Sequence, residues 1–505
     1  MRVPLTVADH LARAERVHPH RIGIIDEHDQ PSSTLGRITY AEVAELARAQ
    51  AAALDRAGLE VGDRVAVLSH NAARLLISFF GVCGYGRVLV PINFRLNAEE
   101  VRYIVEHSGA GMLLVDPDLR DVVADLDVDT LVFGTDDARI FATGEQPRPW
   151  AAPDEDATAT INYTSGTTAR PKGVQLTHRT LWLNAAMLGW HVGVSDRDTY
   201  LHTLPLFHVN AIMVSVLSPM SVGARTRVTG AFAPEPFLDL LERERPTYFS
   251  GVPTIYARLA SLPREVIPDT SSLRFAICGA APVTADLLRR CEERFGFVMV
   301  EGYGLTEGTC ASACNPIRGT RKIGTVGPVI DGQQLRVVDE HGDDVPVGAV
   351  GEVVIAGPTV MRGYLNRPEA TAETIRDGWL RTGDVGRLDE DGYLQIVDRI
   401  KDMIIRGGEN IYPKEIEETI GDLDAVLEVA VVGRPHEDLG EVPVAFVTRY
   451  PDTALSEADV LEHCRANLTR VKVPVEVDIV DALPKNPVGK IDKPTLRRSL
   501  EPSSA

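Results

Sequence analysis

The chain has 505 residues, 44% hydrophobic and 25% charged, the balance of an ordinary globular protein and more chain than one core organises. Its formal net charge of −20, with no block of five or six like charges, argues against a nucleic-acid partner and against docking on an anionic membrane. No run of about eighteen apolar residues offers a transmembrane helix, and the opening MRVPLTVADHLARAERVHPH lacks a signal peptide's apolar core, so a cytoplasmic protein without stable membrane insertion is expected.

In chain order, AEVAELARAQAAALDRA (41–57) predicts an amphipathic helix closed by Gly58. Arg64 to Leu68 (RVAVL) predicts a buried strand, Asn71 to Cys83 a second helix, and Val88 to Val90 a short strand that stops at Pro91. This alternation implies βα units and a mostly parallel sheet, and the rhythm continues to about residue 330. From about Leu335 the pattern changes. LRVVD, GEVVIAG and GYLQIVD are strands split by Gly- and Asp-rich turns, which predicts hairpins. Beyond about Arg399, EVAVVG, VPVAFVT and EVDIVD alternate with helical stretches such as SEADVLEHCRANL. The expected fold is α/β: a large N-terminal domain (1–398) of stacked βα sheets plus a β-rich subdomain, and a small α+β domain (399–505).

The six cysteines, Cys83, Cys278, Cys291, Cys310, Cys314 and Cys464, form no CxxC pair and show no zinc spacing, so reduced, largely buried thiols are expected. Lysine occurs only eight times against 52 basic residues in all, which makes each lysine informative: it is a compact mobile point charge where arginine is a rigid fork.

The segment YTSGTTARPKGV (163–174) follows an apolar lead-in, ATATINY. Small residues, Gly166 among them, let backbone N–H groups approach phosphate oxygens. Thr164, Ser165, Thr167 and Thr168 add hydroxyl donors and Lys172 adds a mobile cation. The chemistry is that of a phosphate-gripping loop, without the Gly-Lys-Ser/Thr of the Walker pattern.

Together with GYGLTE (302–307), RTGD (381–384), DRIKDMIIRGGENIYPKEIE (398–417) and NPVGKIDK (486–493), this loop resembles the adenylate-forming superfamily of acyl- and aryl-CoA ligases, peptide-synthetase adenylation domains and luciferases. The five motifs occur in the family's order within residues 163–493, and the resemblance covers the chain from about residue 40 to residue 498. The resemblance implies an acid activated by ATP as its acyl-AMP and transferred to coenzyme A, with Mg²⁺ as the metal. It also implies site residues, and the residue chemistry is compatible with each. Tyr303 is a flat ring that can stack on adenine, Thr306 can donate to the α-phosphate, and Glu307 can hold Mg²⁺. Gly279, Ala280 and Ala281 of CGAAPV, with Gly302 and Gly304, join the nucleotide site. Asp384, read as lying on a tight turn, suits the ribose diol, and Arg399 approaches the same sugar. Lys490 would bridge the carboxylate and the α-phosphate during adenylation. Lys401 would be the hinge about which the small domain turns, exchanging Lys490 for Gly407, Gly408 and Glu409, whose glycines suit a narrow pantetheine channel.

His208 in LPLFHVNA is placed by the resemblance in the acid pocket with Val209, Met213, Gly251, Ala280 and Tyr303. Phe207 to Asn210 supply no acid, where amino-acid-activating relatives have an Asp nearby; this favours a plain fatty or aryl acid. The chain departs from the family at Ala169 and Ala280, where glycine is usual. Both departures put the acid's identity in doubt. A carrier protein or an amine as acceptor, an unusual acid such as nitrite, and a homodimeric assembly stay open.

Overall fold

The computed structural model describes residues 4–164, 170–263, 265–281, 283–451, 453–486 and 490–500. Seven strands form one sheet in the order Asp129–Val132, Ala110–Val115, Arg64–Leu68, Val88–Ile92, β1 (Thr158–Thr164), β2 (Lys172–Thr177) and Gly363–Tyr364. The first five run parallel, and β2 and Gly363–Tyr364 are each antiparallel to their neighbours. RVAVL is buried along nearly its whole length, as a strand covered on both faces must be. The strand expected to stop at Pro91 continues through it to Ile92. Pro91 stands opposite Val67 and lies beyond the Leu89–Thr160 pair with β1, so its missing N–H interrupts no hydrogen bond of that second ladder.

A second sheet of eight strands runs Gly36–Thr39, Ile22–Asp26, Arg225–Arg227, Thr199–Leu201, Tyr248–Gly251, β3 (Phe275–Gly279), β4 (Val298–Tyr303) and Ala313–Cys314. Between the two sheets lies the helix Ala73–Cys83, which touches Val88–Ile92 of one and Ile22–Asp26 of the other. It is buried at every position, which suits a helix apolar except at Arg74, paired with Asp137, and Ser78, bonded to Gln50. The helix Tyr40–Arg56 begins with a capping box formed by Thr39 and Glu42.

The third sheet is antiparallel. Gln334–Val338 pairs Gly351–Ala356, which pairs β5 (Trp379–Leu388), and β5 also pairs Ile375–Arg376 and β6 (Leu394–Arg399). Beyond Arg399 the chain enters a fourth sheet. β7 (Ile404–Arg406) and β8 (Glu409–Ile411) form its edge hairpin, followed by Gly440–Arg449 and Val426–His436, with Glu476–Ile479 parallel to Gly440–Arg449. This is the mixed α/β architecture expected, with a β-rich subdomain and a C-terminal α+β unit. That unit is anchored through the helix Pro413–Gly421: Lys414 Nζ donates to the carbonyl of Ile396 at 2.7 Å, and its backbone N–H donates to Asp398 at 3.0 Å.

Candidate active site

The carboxyl ends of three adjacent parallel strands meet at one edge of the second sheet. Gly251 stands opposite Cys278, and Gly279 opposite Gly302. Such ends are where open α/β sheets bind ligands. The chain then turns through a 3₁₀ segment, Thr306–Gly308, which carries Thr306 and Glu307.

Asp384 reaches this edge from the third sheet. It lies inside β5, not on a tight turn as its sequence suggests. The register slips between the Glu352–Val385 and Val354–Arg381 pairs, so Thr382–Gly383–Asp384 bulges out of the strand. Gly383 takes a φ of +69°, which glycine adopts without strain. The bulge is held by Thr382 donating to the Val353 carbonyl at 2.6 Å and by Gly383 N–H donating to Glu352 at 3.2 Å. Its product is a buried carboxylate with two partners: the Tyr303 hydroxyl donates to Oδ2 at 2.6 Å, and Arg399 Nε donates to Oδ1 at 2.7 Å. Burial and the Asp384 charge both push the Tyr303 phenol well above its ordinary range, so it stays a donor.

Lys490 enters the same locus from the C-terminal unit. Its backbone is clamped by reciprocal bonds with Asn486, Lys490 N–H to Oδ1 at 3.0 Å and Asn486 N–H to the Lys490 carbonyl at 2.8 Å. Burial, with Arg399 and Lys401 nearby and Asp384 opposing, brings the ammonium down to about 8. His208 feels Lys490 in turn. Burial first, then Lys490 and Arg95, bring it down to about 3, so it is neutral. Its Nε2 is buried without a hydrogen-bond partner among the described residues. A neutral ring nitrogen without a partner is free to take or give one hydrogen bond. His208 precedes the short helix Val209–Ala211, which runs on into a π-helical stretch, Ile212–Leu217. Val209 and Met213 belong to the buried apolar cluster against which Tyr303 packs. A Cβ on Gly251 would sit 3.1 Å from the Tyr256 ring, so that wall has no slack.

Ala280 sits at a φ of +67°, in the left-handed region where the usual glycine costs nothing. Ala280→Gly is therefore expected to stabilise the protein by about 0.5–1 kcal/mol, strain relief less the added entropy of the unfolded chain. The measurement is the urea midpoint; an unchanged or lower midpoint refutes the strain.

The segment expected to grip phosphate lies between β1 and β2, where Thr164 stands opposite Lys172. Ser165, Gly166, Thr167, Thr168 and Ala169 lie outside the described residues. Lys172 and Glu307 line a cleft of about 360 Å³ with Thr382, Gly383 and Arg399. The Tyr364 hydroxyl donates to Glu307 Oε1 at 2.8 Å, while Lys172 Nζ lies 4.1 Å above the Tyr364 ring centroid. Among the described residues no hydrogen bond or ion pair engages the other carboxylate oxygen of Glu307. A free carboxylate oxygen in a cleft that also holds Lys172 and Arg399 fits Mg²⁺, which takes one or two carboxylates and completes its shell from phosphates and water. Sequence reasoning missed Tyr364 and Glu352; neither GYLN nor GEVV carries a local signal of its role.

Lys401 sits exposed in the 3₁₀ turn Ile400–Asp402. Gly407 and Gly408 form the two-residue turn of the β7–β8 hairpin with φ of +60° and +86°, as a type I′ turn requires. Both are exposed, as is Glu409. Lys490, and not this hairpin, shares the Asp384–His208 locus in this arrangement.

The AMP-binding enzyme family matches residues 11–365, and its C-terminal domain matches residues 415–490. A feruloyl-CoA synthase of Amycolatopsis is 38% identical over 462 residues, 91% of this chain and 94% of that protein. The indoleacetate–CoA ligase of Aromatoleum aromaticum is 36% identical over 94% of this chain and 97% of its own. Among solved structures, an anthranilate CoA ligase in complex with anthranoyl-AMP superposes with a TM-score of 0.92 at 28% identity, covering 99% and 98% of the two chains. ATP-bound MatB from Rhodopseudomonas palustris gives 0.88 at 34% identity, covering 97% and 98%.

Proposed function

The chain belongs to the AMP-binding enzyme family, and we propose that the locus around Asp384, His208 and Lys490 is where it joins an aryl carboxylic acid to AMP before passing the acyl group to coenzyme A. The protein is an AMP-forming acid–CoA ligase. The carboxylate attacks the α-phosphate of ATP and releases pyrophosphate; the CoA thiolate then attacks the acyl carbon and releases AMP.

The observation that carries the assignment of roles is that Lys490, from the loop before the last helix, comes within electrostatic reach of both Asp384 and His208. In our reading Asp384 and Arg399 receive the ribose, and Tyr303 lies against the adenine while holding Asp384. Thr164, Ser165, Gly166, Thr167, Thr168 and Lys172 hold the outer phosphates, and Thr306 the α-phosphate. Gly279, Ala280, Ala281, Gly302 and Gly304 form the wall of the nucleotide pocket. Glu307 would hold Mg²⁺, which when bound screens the charge of the phosphates. Lys490 steadies the incoming carboxylate and the α-phosphate oxygens as charge shifts between them. His208, neutral and with Nε2 unpartnered among the described residues, supplies a hydrogen bond at the carboxylate. Residues 399–505 then turn about Lys401, which withdraws Lys490 and brings Gly407, Gly408 and Glu409 to a thiol channel. The named acids of the feruloyl and indoleacetate relatives carry rings, and Val209, Met213 and Tyr303 share one apolar cluster. Six cysteines without a disulfide suit a reducing cytoplasm.

The test is pyrophosphate release from MgATP by the purified protein across aromatic, short, medium and long acids, with and without CoA. Turnover by aromatic acids that requires CoA is the expected result. Adenylation indifferent to CoA would move the acceptor to a carrier protein or an amine, and turnover confined to aliphatic acids would refute the aryl class.

A further inference from the structure

We propose that Tyr364 is a positioning residue that holds the phosphate-loop lysine and the metal-holding carboxylate apart and aims both at the phosphates; this rests on the roles given to Lys172 and Glu307 above. Lys172 and Glu307 carry opposite charges and line one cleft. A direct ion pair between them would neutralise both and close the site to a phosphate and its metal. Among the described residues no such pair forms. The Tyr364 ring stands between them instead, with the ammonium on its face at 4.1 Å from the centroid and its hydroxyl donating to Glu307 Oε1 at 2.8 Å. The ring face attracts the cation and the hydroxyl fixes one carboxylate oxygen, leaving the other for a metal.

The backbone supports this arrangement on every side. Tyr364 is 6% exposed and pairs with Val174, two residues beyond Lys172. Arg362 N–H donates to Gln175 at 3.0 Å and Leu365 N–H to Gly173 at 2.8 Å, so β2 and the tyrosine share one ladder. Met361 N–H donates to the Glu307 carbonyl at 2.8 Å, fixing the same segment to the carboxylate's own backbone. Tyr364 N–H donates to Thr371 Oγ1 at 2.9 Å, and a side chain on Gly363 would meet Thr371 at 2.8 Å.

The experiment titrates ATP calorimetrically at stepped Mg²⁺ concentrations with wild type, Tyr364→Phe, Tyr364→Leu and Glu307→Gln. Tyr364→Phe keeps the ring and removes the hydroxyl. It is expected to raise the Mg²⁺ requirement for ATP binding by about tenfold, the usual effect of losing a partner behind a metal ligand, and to leave Mg²⁺-free ATP binding unchanged. Tyr364→Leu also frees Lys172 toward Glu307, and is expected to weaken Mg²⁺-free ATP binding by about two- to fivefold besides. A purely structural tyrosine would move both bindings together or neither. Wild-type Mg²⁺ dependence in Tyr364→Phe, with Glu307→Gln shifted, overturns the positioning role. An unshifted Glu307→Gln overturns the metal reading of Glu307 itself, and the proposal with it.

Discussion

Lys490→Ala is expected to lower acid-dependent pyrophosphate exchange by about 10²–10³-fold, the scale of losing one preorganised charge at a developing transition state. Thioester formation from supplied acyl-AMP should be almost untouched. The division follows from position. Lys490 lies on the C-terminal unit, and its ammonium is within electrostatic reach of Asp384, Arg399 and His208 in the arrangement seen here. A rotation about Lys401 would remove it. The same lysine gives adenylation a pH limb of known sign. It is cationic below its pKa, which burial, then Arg399 and Lys401, hold down to about 8. The kcat/KM for adenylation should therefore be full below that value and fall as pH rises through it, because that ratio titrates the free enzyme. Lys490→Arg stays charged throughout and should lose the limb, at reduced rate because a planar fork replaces a point charge. Equal loss of both half-reactions in Lys490→Ala, or an unaltered alkaline limb in Lys490→Arg, refutes the assignment.

What the sequence made legible is what short-range patterning controls. RVAVL is a strand at its predicted bounds, and the mostly apolar helix after it is buried on every face. The change from βα rhythm to hairpins near Leu335 marks the third sheet. What it hid are partners chosen by tertiary geometry. Tyr303 and Asp384 are 81 residues apart, Glu307 and Tyr364 are 57 apart, and no local pattern encodes either bond. Thr-Gly-Asp looked like a turn because those residues favour turns; the neighbouring strand Gly351–Ala356 captured it as a bulge instead. The strand through Pro91 failed in the same way, since the cost of a proline depends on which neighbour needs its N–H. Glycine at 304 was readable as part of a nucleotide motif, but not the reason no other residue fits there.

That reason predicts the second large effect. A Cβ built on Gly304 would lie 1.4 Å from the carbonyl oxygen of Cys310 and 2.5 Å from its carbon. The clash is with backbone, so no rotamer relieves it. The segment that returns to Gly304 is tied down at several points: Cys310 N–H donates to the Leu305 carbonyl at 3.1 Å, Ser312 N–H to Tyr303 at 2.8 Å, and Thr309 Oγ1 to Thr359 at 2.5 Å. Thr309 and Cys310 already hold positive φ of +63° and +110°, strain of a kind that persists only where the surroundings enforce it. Gly304→Ala must therefore open the turn that carries Thr306 and Glu307. It should cost about 3 kcal/mol or more, the upper range for forced overpacking, and remove ATP binding in whatever protein still folds. Gly302→Ala is the matched control. Its Cβ would meet nothing closer than the Cys314 sulfur at 3.6 Å, an ordinary contact, and a strand alanine there should change stability by less than about 1 kcal/mol. Urea midpoints of the two variants decide the matter: similar midpoints would mean that the return of Cys310 onto Gly304 does not hold, and the placement of Glu307 with it.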